Sequence, residues 1–256
     1  MKIFKSRIFI FLLGVLITSG VVYAATTAAE SISYGNGTVK DALDYLYSAP
    51  QIQKICEYQD STYGDSNNIY SIGTKYRCRV NANDSYNFYV LAENNNNTLD
   101  LLMDRNLAGV SSWNAAAKYI DTNNIRTSWS NVLDVNLPSA QDIANAIGYN
   151  VVVTDTYTDT QICVNNLATS DCSQNTIGKN AWLYNYTANC ASYGCDPQTQ
   201  TSDSTAGYWT RDLYLSKNWG YTVLWRGVFY STGITNANLG VRPVITVLKS
   251  NLYKSN

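Results

Sequence analysis

The chain contains no histidine, and this restricts the chemistry that its side chains can perform. Neither a Ser-His-Asp nor a Cys-His arrangement can form without an imidazole as general base. Its 19 acidic residues leave a paired-carboxylate hydrolase open, but Asp100 with Asp104 and Asp155 with Asp159 fit a solvated strand face and a turn. No glycine-rich phosphate loop precedes a helix. We therefore expect a protein that is not an enzyme.

The six cysteines are the remaining reactive groups. Without histidine and without a Cys-x-x-Cys pair they do not match a zinc site, so we expect neither a metal nor a cofactor. In an exported chain they indicate three disulfides, and fifteen connectivities are possible. Pairing within local loops joins Cys56 to Cys78, Cys163 to Cys172 and Cys190 to Cys195.

The charge balance excludes one class of partner. The net charge is −1 and only 14% of residues are charged, so the chain lacks the basic footprint of a nucleic-acid-binding protein. Its polarity comes instead from Asn, Ser, Thr and 21 tyrosines. Such surfaces suit sugars or protein partners, which are recognised by hydrogen bonds and rigid aromatic faces.

The N-terminus predicts export. Basic residues precede an apolar run from Ile8 to Val22, and Val22-Tyr23-Ala24 supplies the small residues of a cleavage site. The uncharged stretch is also close to the length that spans a bilayer, so residues 1–25 are either a cleaved signal peptide or a membrane anchor. We expect an extracellular or cell-surface location, with attachment to the membrane if the segment is retained.

Residues 26–50 read as a linker followed by a short amphipathic helix. Thr38 is placed to cap a helix over residues 38–47, and its apolar residues recur at helical spacing. They are Val39, Ala42, Leu43 and Leu46. A lone helix of this length is marginal in water, so it is expected to pack on the main domain or to self-associate.

The middle of the chain predicts one hairpin and two helices. Asn87–Ala92 and Thr98–Asp104 flank an Asn-rich loop and form the hairpin. Ser112 and Ser139 are placed as N-caps of the helices, and a short helix or turn between them carries Trp129. The expected buried stripes are Trp113, Ala116, Ala117 and Ile120 in the first helix and Ala140, Ile143, Ala144 and Ile147 in the second.

The C-terminal stretch from Gly207 to Val247 is rich in aromatic and β-branched residues. We expect a strand at Tyr208–Thr210, an aromatic strand from Tyr221 to Tyr230, and a Ser-Thr-Gly turn after it. A polar segment, Thr235–Leu239, then leads to a final apolar strand.

This stretch resembles the C-terminal part of a C-type-lectin-like domain. The motifs are Tyr208-Trp209-Thr210-Arg211, Trp225 in an aromatic strand, and Gly240-Val241-Arg242-Pro243-Val244-Ile245. Upstream, Leu137–Ile143 resembles a Leu-Pro-Thr-x-x-Glu helix start, and Leu102–Leu107 is similar to a strand of gut-bacterial members. The similar proteins are bacterial surface domains like the C-terminal domain of the Legionella collagen-like adhesin, the variable proteins of diversity-generating retroelements, and formylglycine-generating enzymes. The resemblance implies an α+β domain over residues 51–256.

The resemblance also implies where a ligand binds. In the variable relatives it contacts the aromatic strand and the polar segment that follows. The corresponding residues here are Tyr214, Lys217, Trp219, Tyr221, Arg226, Tyr230, Asn236 and Asn238. Trp209, Trp225, Val244 and Ile245 are expected in the core, and Arg242 in a buried or semi-buried ion pair that closes the fold. The calcium-binding tripeptides of lectins are absent, so neither calcium nor sugar specificity follows.

These observations predict a non-enzymatic bacterial surface protein that adheres to or recognises a protein or glycan on a host, phage or other cell. One alternative is a structural subunit of a surface filament or pilus, although the chain lacks the Phe-Thr-Leu-Ile-Glu-like pattern of type IV pilins. Another is a degenerate formylglycine-generating-like enzyme that uses Cys190 and Cys195, whose surroundings do not match that family's active-site motif.

Overall fold

The computed structural model describes residues 33–34, 37–38, 53–149, 162–164, 178–185, 207–213, 218–224, 227–235 and 239–255. The chain divides into two units, Met1–Gln53 and Lys54–Asn256. In the first, β1 (Ser33–Tyr34) pairs antiparallel with β2 (Gly37–Thr38). The N-terminal apolar segment and residues 39–52 lie outside the described residues. No helix in the described part is long and apolar enough to cross a membrane.

The larger sheet of the second unit contains seven of the described strands. They are β3 (Cys56–Asp60), β4 (Lys75–Arg79), β5 (Ser85–Glu93), β6 (Thr98–Met103), β8 (Asp134–Asn136), β14 (Val244–Leu248) and β15 (Leu252–Tyr253). Their order is β15-β3-β4-β5-β6-β14-β8. Every neighbouring pair is antiparallel except β15 and β3, which run parallel.

The smaller sheet contains six described strands. They are β7 (Ala108–Val110), β9 (Ile162–Cys163), β10 (Gly207–Leu213), β11 (Trp219–Leu224), β12 (Val228–Gly233) and β13 (Leu239–Val241). Their order is β7-β13-β10-β11-β12-β9, with β13 parallel to β10. The consecutive strands β13 and β14 therefore belong to different sheets, β13 to the smaller and β14 to the larger. With its few short helices the architecture is broadly α+β.

The predicted single aromatic strand from Tyr221 to Tyr230 is wrong. The structure folds this stretch into the hairpin β11–β12, in which Leu224 pairs with Val228. Gly227 lies in the connection with φ 68°, and a Cβ on it would stand 2.8 Å from the ring of Tyr184. Only glycine fits that backbone and that contact. Ser231 to Gly233, expected as a turn, are strand residues of β12.

The helices are short and follow the predicted caps. They are α1 (Trp113–Thr122), α2 (Ile125–Ser128) and α3 (Ala140–Ala146). The Ser112 hydroxyl accepts from the Ala115 N–H at 3.2 Å, and Ser139 accepts from Asp142 at 2.9 Å. The whole predicted stripe of α3 is buried. In α1, Ala116 and Ile120 are buried, but Ala117, which we expected in the stripe, is exposed.

The predicted hairpin around the Asn-rich loop is confirmed as β5–β6. Phe88 pairs with Met103 and Tyr89 with Leu102. Asn97 adopts a left-handed conformation with φ 62°, which asparagine tolerates better than most residues. The local turn signal was therefore sufficient to predict this pair of strands.

Apolar side chains leave both sheets on both faces and form two separate clusters. On β5, Phe88 and Val90 join one cluster, while Tyr89 and Leu91 join the other. Helix α1 packs into the first cluster and α3 into the second. Strands buried on both faces lose the polar-apolar alternation of a half-exposed sheet. This is why β10, β11 and β14 read as nearly continuous apolar runs.

The predicted disulfide between Cys56 and Cys78 is present. The two residues are direct cross-strand partners on β3 and β4, and both are fully buried. Cys163 is also disulfide-bonded, to a partner outside the described residues. The predicted disulfide between Cys190 and Cys195 also lies outside the described residues.

Arg242 connects segments from distant parts of the chain. It lies between β13 and β14 and is completely buried, as expected. Its guanidinium donates to the backbone carbonyls of Leu183 at 2.6 Å, of Asn185, and of Asp104. Its carbon Cζ lies 4.9 Å from the centre of the Tyr208 ring. The guanidinium therefore connects the end of β6, the turn at residues 183–185, and β10.

The predicted ion pair of Arg242 is replaced by these carbonyl contacts. The nearby carboxylate of Asp104 instead binds Arg105, at 2.9 and 3.0 Å. Burial lowers the pKa of Arg242, and the proximity of Tyr208 and Asp104 opposes that shift. Carbonyl oxygens suffice here because several of them point at one guanidinium, which carries five donors in a fixed plane.

We expect Arg242→Met to lower the free energy of unfolding by about 3 kcal/mol or more, because each buried carbonyl left without a donor costs about 1–3 kcal/mol. Urea denaturation monitored by circular dichroism measures this. The matched control is Arg79→Met at an exposed position, where a change within about 0.5 kcal/mol is expected. Equal stability of the two variants would contradict the role assigned to Arg242.

Removing the crosslink by the double change Cys56→Ala and Cys78→Ala should also destabilise the fold. The bond joins residues 22 apart, and a loop of that size restricts the unfolded chain by about 3 kcal/mol. The same denaturation assay applies, under non-reducing conditions so that the disulfide of Cys163 stays intact. An unchanged midpoint in the double variant would show that the bond contributes little.

Candidate ligand-binding face

Three of the eight predicted ligand-binding residues fall within the described part of the chain. They are Trp219, Tyr221 and Tyr230, all on the β11–β12 hairpin. Tyr214, Lys217, Arg226, Asn236 and Asn238 lie outside the described residues. The structure therefore shows the scaffold on which the predicted face would be built and one part of the face itself.

Trp219 is exposed at the start of β11. Of its side chain and backbone, 37% remains accessible to solvent. Its cross-strand partner is Gly233, which has no side chain to cover the indole. The backbone around it is held, because the Ile234 N–H donates to the Asn218 carbonyl at 3.0 Å and extends the hairpin ladder. Trp219 thus offers an open aromatic surface on a fixed backbone.

Tyr221 was expected to point outward, and this is wrong. Only 1% of it is exposed, and its ring stacks on Phe229 with centroids 5.8 Å apart. Because alternate residues of a strand point to opposite faces, Trp219 and Tyr221 leave β11 on the same side. On this side of β11, Trp219 is exposed, while Tyr221 faces the apolar cluster that contains α3.

Tyr230 lies on the other face of the hairpin. It pairs with Thr222, whose hydroxyl donates to the Tyr230 carbonyl at 3.0 Å. Its half-buried ring packs against the cluster that contains α1. The three aromatic residues therefore do not form one continuous face, and Trp219 alone among them is exposed.

Trp113 supports this hairpin from behind, a role that the sequence pattern did not reveal. Its indole N–H donates to the Thr210 carbonyl at 2.9 Å, and its backbone N–H donates to the Ile234 carbonyl at 3.0 Å. The ring lies so close to Gly220 that a Cβ there would stand 2.7 Å from it. The start of α1 is thus fastened to both β10 and the hairpin.

A second group of polar residues meets where α3 begins. The Asp142 carboxylate accepts from the Ser139 hydroxyl at 2.5 Å, and an oxygen of Asp212 accepts from the Ala140 N–H at 2.5 Å. The backbone N–H of Arg211 donates to the carbonyl of Pro138, just before α3, at 2.9 Å. These bonds tie α3 to β10 by its first turn.

Burial raises the pKa of Asp142. The hydroxyl of Ser139 and the charge of Arg211 lower it, while the carboxylates of Asp100 and Asp212 raise it further. A partly buried carboxyl beside other carboxylates resembles a general acid. The described contacts of Asp142, however, serve to start the helix. Among the described residues no group of three or more metal-binding side chains could hold an ion.

Three carboxylates that are distant in sequence lie near one another at the start of α3. Asp100, Asp142 and Asp212 come from three elements separated by about forty to seventy residues, so local spacing holds no signal for their proximity. The packing of α3 against β5 and β10, and the pairing of β5 with β6, which carries Asp100, bring them together.

Comparisons with protein-family models, with characterised proteins and with solved structures found no match. The case for a function therefore rests on the arrangement of this chain's own residues. The C-type-lectin-like fold remains a prediction from the sequence motifs.

Stability should rise as the pH falls through the folded-state pKa of Asp142. Its pKa is higher in the folded than in the unfolded state, so the folded state binds the proton more tightly. We expect Asp142→Asn to be more stable than wild type near neutral pH and to lose the rise in stability that wild type shows as the pH falls towards the unfolded-state pKa of about 4. Urea denaturation across that range measures both effects. Asp121→Asn, at a largely exposed side chain, is the control, and parallel profiles for Asp142→Asn and wild type would contradict the expectation.

Proposed function

We propose that the chain is an exported, non-enzymatic surface protein whose smaller sheet displays a ligand-binding face centred on Trp219. The observation that carries the proposal is the exposed indole on a backbone fixed by hydrogen bonds. Tryptophan is among the strongest anchors of protein interfaces. Its flat apolar face also suits stacking against the apolar face of a sugar. The ligand is accordingly a protein or a glycan on another cell, host or phage.

The packing around Trp219 supports binding without reorganisation. Trp113 and the buried Tyr221 occupy opposite faces of β11 behind the exposed end, so the strand has little freedom to shift. A preorganised site loses less conformational entropy when it binds. An exposed side chain on a rigid strand is therefore a better anchor than the same side chain on a loop.

Two observations support export. The N-terminal segment has the pattern of a secretory signal or anchor. The buried disulfide between Cys56 and Cys78 fits an oxidising compartment, where such bonds form and persist. The cell surface is the location that agrees with both.

The finer fold assignment, a C-type-lectin-like domain, is part of the proposal. Its support is that the motifs behind the resemblance fall in one structural unit, Lys54–Asn256. Leu102–Leu107 begins on β6, Leu137–Ile143 starts α3, and Gly240–Ile245 forms the passage from β13 to β14. The filament-subunit and formylglycine-generating-like alternatives rest on residues 38–47 and on Cys190 and Cys195, of which the structure describes Thr38 alone.

The test is binding of the full exported chain to arrays of glycans and of extracellular proteins. We expect Trp219→Ala to weaken the hit at least tenfold, as removal of a central aromatic anchor does. Leu133→Ala is the matched control, because Leu133 is another large apolar side chain and is 59% exposed on the other sheet. It should leave binding unchanged, and both variants should unfold like wild type.

Tyr221→Ala tests the contribution of the β11–β12 hairpin to stability, whereas Trp219→Ala tests its contribution to binding. Since Tyr221 is buried, we expect this variant to lose about 3 kcal/mol of unfolding free energy. If Trp219→Ala binds the same ligand as strongly as wild type, the ligand does not bind at the hairpin. Absence of any hit, together with higher oligomers that disappear when residues 38–47 are deleted, would favour the filament subunit.

A further inference from the structure

A row of cationic side chains lies along the outward side of β4. Tyr76 and Cys78 are completely buried, so Lys75, Arg77 and Arg79 alternate with them and point to the opposite face of the sheet. Two-residue steps along a strand place these side chains about 6.7 Å apart. The strand therefore presents three cationic side chains on one face.

The two arginines of this row have no partner in the described structure. Both are exposed, and neither guanidinium makes an ion pair or a side-chain hydrogen bond with any described residue. The ion pairs among the described residues involve other cations, namely Arg105, Arg126 and Lys249. Lys75 lies over the ring of Tyr89, with its ammonium 5.4 Å from the ring centre. Arg77 and Arg79 are thus available to an external anion.

The neighbouring strands offset the charge of this row only in part, through two carboxylates on β3 that form no ion pair with it. On β5, the partners of Arg77 and Arg79 are the small polar residues Asn87 and Ser85. On β3, the carboxylate opposite Arg77 is Glu57, which accepts a hydrogen bond from the Ser255 hydroxyl. Lys54 adds a further exposed cation at the edge, with its ammonium 5.8 Å from the ring centre of Tyr253. Asp60, which pairs with Lys75, is the other carboxylate on β3.

We propose that this basic row, Lys75–Arg77–Arg79 with Lys54 beside it, binds a polyol-phosphate polymer, in which short polyols such as glycerol alternate with phosphates. Three backbone bonds of an extended chain span about 3.5 Å, so phosphates separated by six bonds, as in a glycerol-phosphate chain, recur about every 7 Å. That repeat matches the spacing of the side chains on β4. Each guanidinium can bind a phosphate through two parallel N–H···O bonds.

The regular spacing favours a polymer over an acidic protein. A row of cations at one repeat along a flat strand complements charges that recur at the same repeat, whereas carboxylates on a folded surface have no common period. The amide and hydroxyl of Asn87 and Ser85 can bond the neutral oxygens between phosphates. The row belongs to the larger sheet, whereas Trp219 belongs to the smaller one, so this surface is independent of the proposed Trp219 face.

The test is titration of the full chain with a synthetic glycerol-phosphate oligomer, monitored by calorimetry at several salt concentrations. We expect binding whose logarithmic salt slope is about −2, since roughly three phosphate contacts each contribute about −0.7. The double change Arg77→Ser and Arg79→Ser should weaken binding at least tenfold and reduce the slope by about 1.4. Lys118→Ser with Lys179→Ser removes the same charge at exposed positions elsewhere and should leave affinity within twofold.

Two further variants and a second polyanion distinguish phosphate recognition by the arginines from general attraction between opposite charges. Arg77→Lys with Arg79→Lys keeps the charge but loses the two-bond geometry, and we expect an intermediate affinity from a variant that unfolds like wild type. Trp219→Ala should bind the oligomer normally, which separates this surface from the proposed hairpin face. Polyglutamate of similar length should bind much more weakly. Equal binding of polyglutamate, equal loss in the Lys118/Lys179 control, or no binding of the oligomer would each overturn the proposal.

Discussion

The arrangement of the two sheets depends on the hydrogen bonds that the buried guanidinium of Arg242 donates to backbone carbonyls. Arg242 occupies the short passage between β13 and β14, where the chain leaves the smaller sheet and enters the larger one. From there it binds the carbonyl oxygens of Asp104 at the end of β6 and of Leu183 and Asn185 in a separate turn. Hydrogen bonds from its two terminal nitrogens offset part of the cost of burying this charge, so the passage is stable only when these segments come together.

The burial of both faces of each sheet follows from this arrangement. Aromatic residues that appear in the sequence as one exposed candidate face are divided between two clusters, and most serve the core. Tyr208 provides the ring beneath Arg242, and Tyr221 stacks on Phe229. Two exposed groups remain for recognition. Trp219 lies at the open end of β11, and Arg77 and Arg79 are exposed on β4, an interior strand of the larger sheet.

The two candidate surfaces differ in physical character. Around Trp219 the useful group is an uncharged aromatic face, whose contribution to binding depends little on salt. Along β4 it is a row of unpaired cations, whose attraction for anions weakens as ionic strength rises. A chain with a net charge of −1 gains no long-range attraction for polyanions, so the β4 row must act by close contact. The two surfaces can therefore be distinguished by salt alone.

Local signals in the sequence were sufficient for several elements. The Ser139 cap and the apolar stripe predicted α3, the Asn-rich loop predicted the β5–β6 hairpin, and proximity along the chain predicted the Cys56–Cys78 bond. Each of these depends on residues that are close in sequence, where propensity and periodicity act directly. The same reasoning placed Val244 and Ile245 in the core, because an apolar strand must be covered.

Other features were decided by the tertiary structure alone. The sequence could not show that Tyr221 and Tyr230 lie on opposite faces, because that depends on a turn at Gly227 and on the register across it. It could not bring Asp100, Asp142 and Asp212 together or leave Arg77 and Arg79 without partners, because those results depend on which elements pack side by side. Composition and short-range pattern determined that this is a cysteine-bearing chain of strands and short helices without histidine chemistry. Long-range packing decided which of its aromatic and charged side chains remain free to bind, because exposure is a property of neighbours that are distant in sequence.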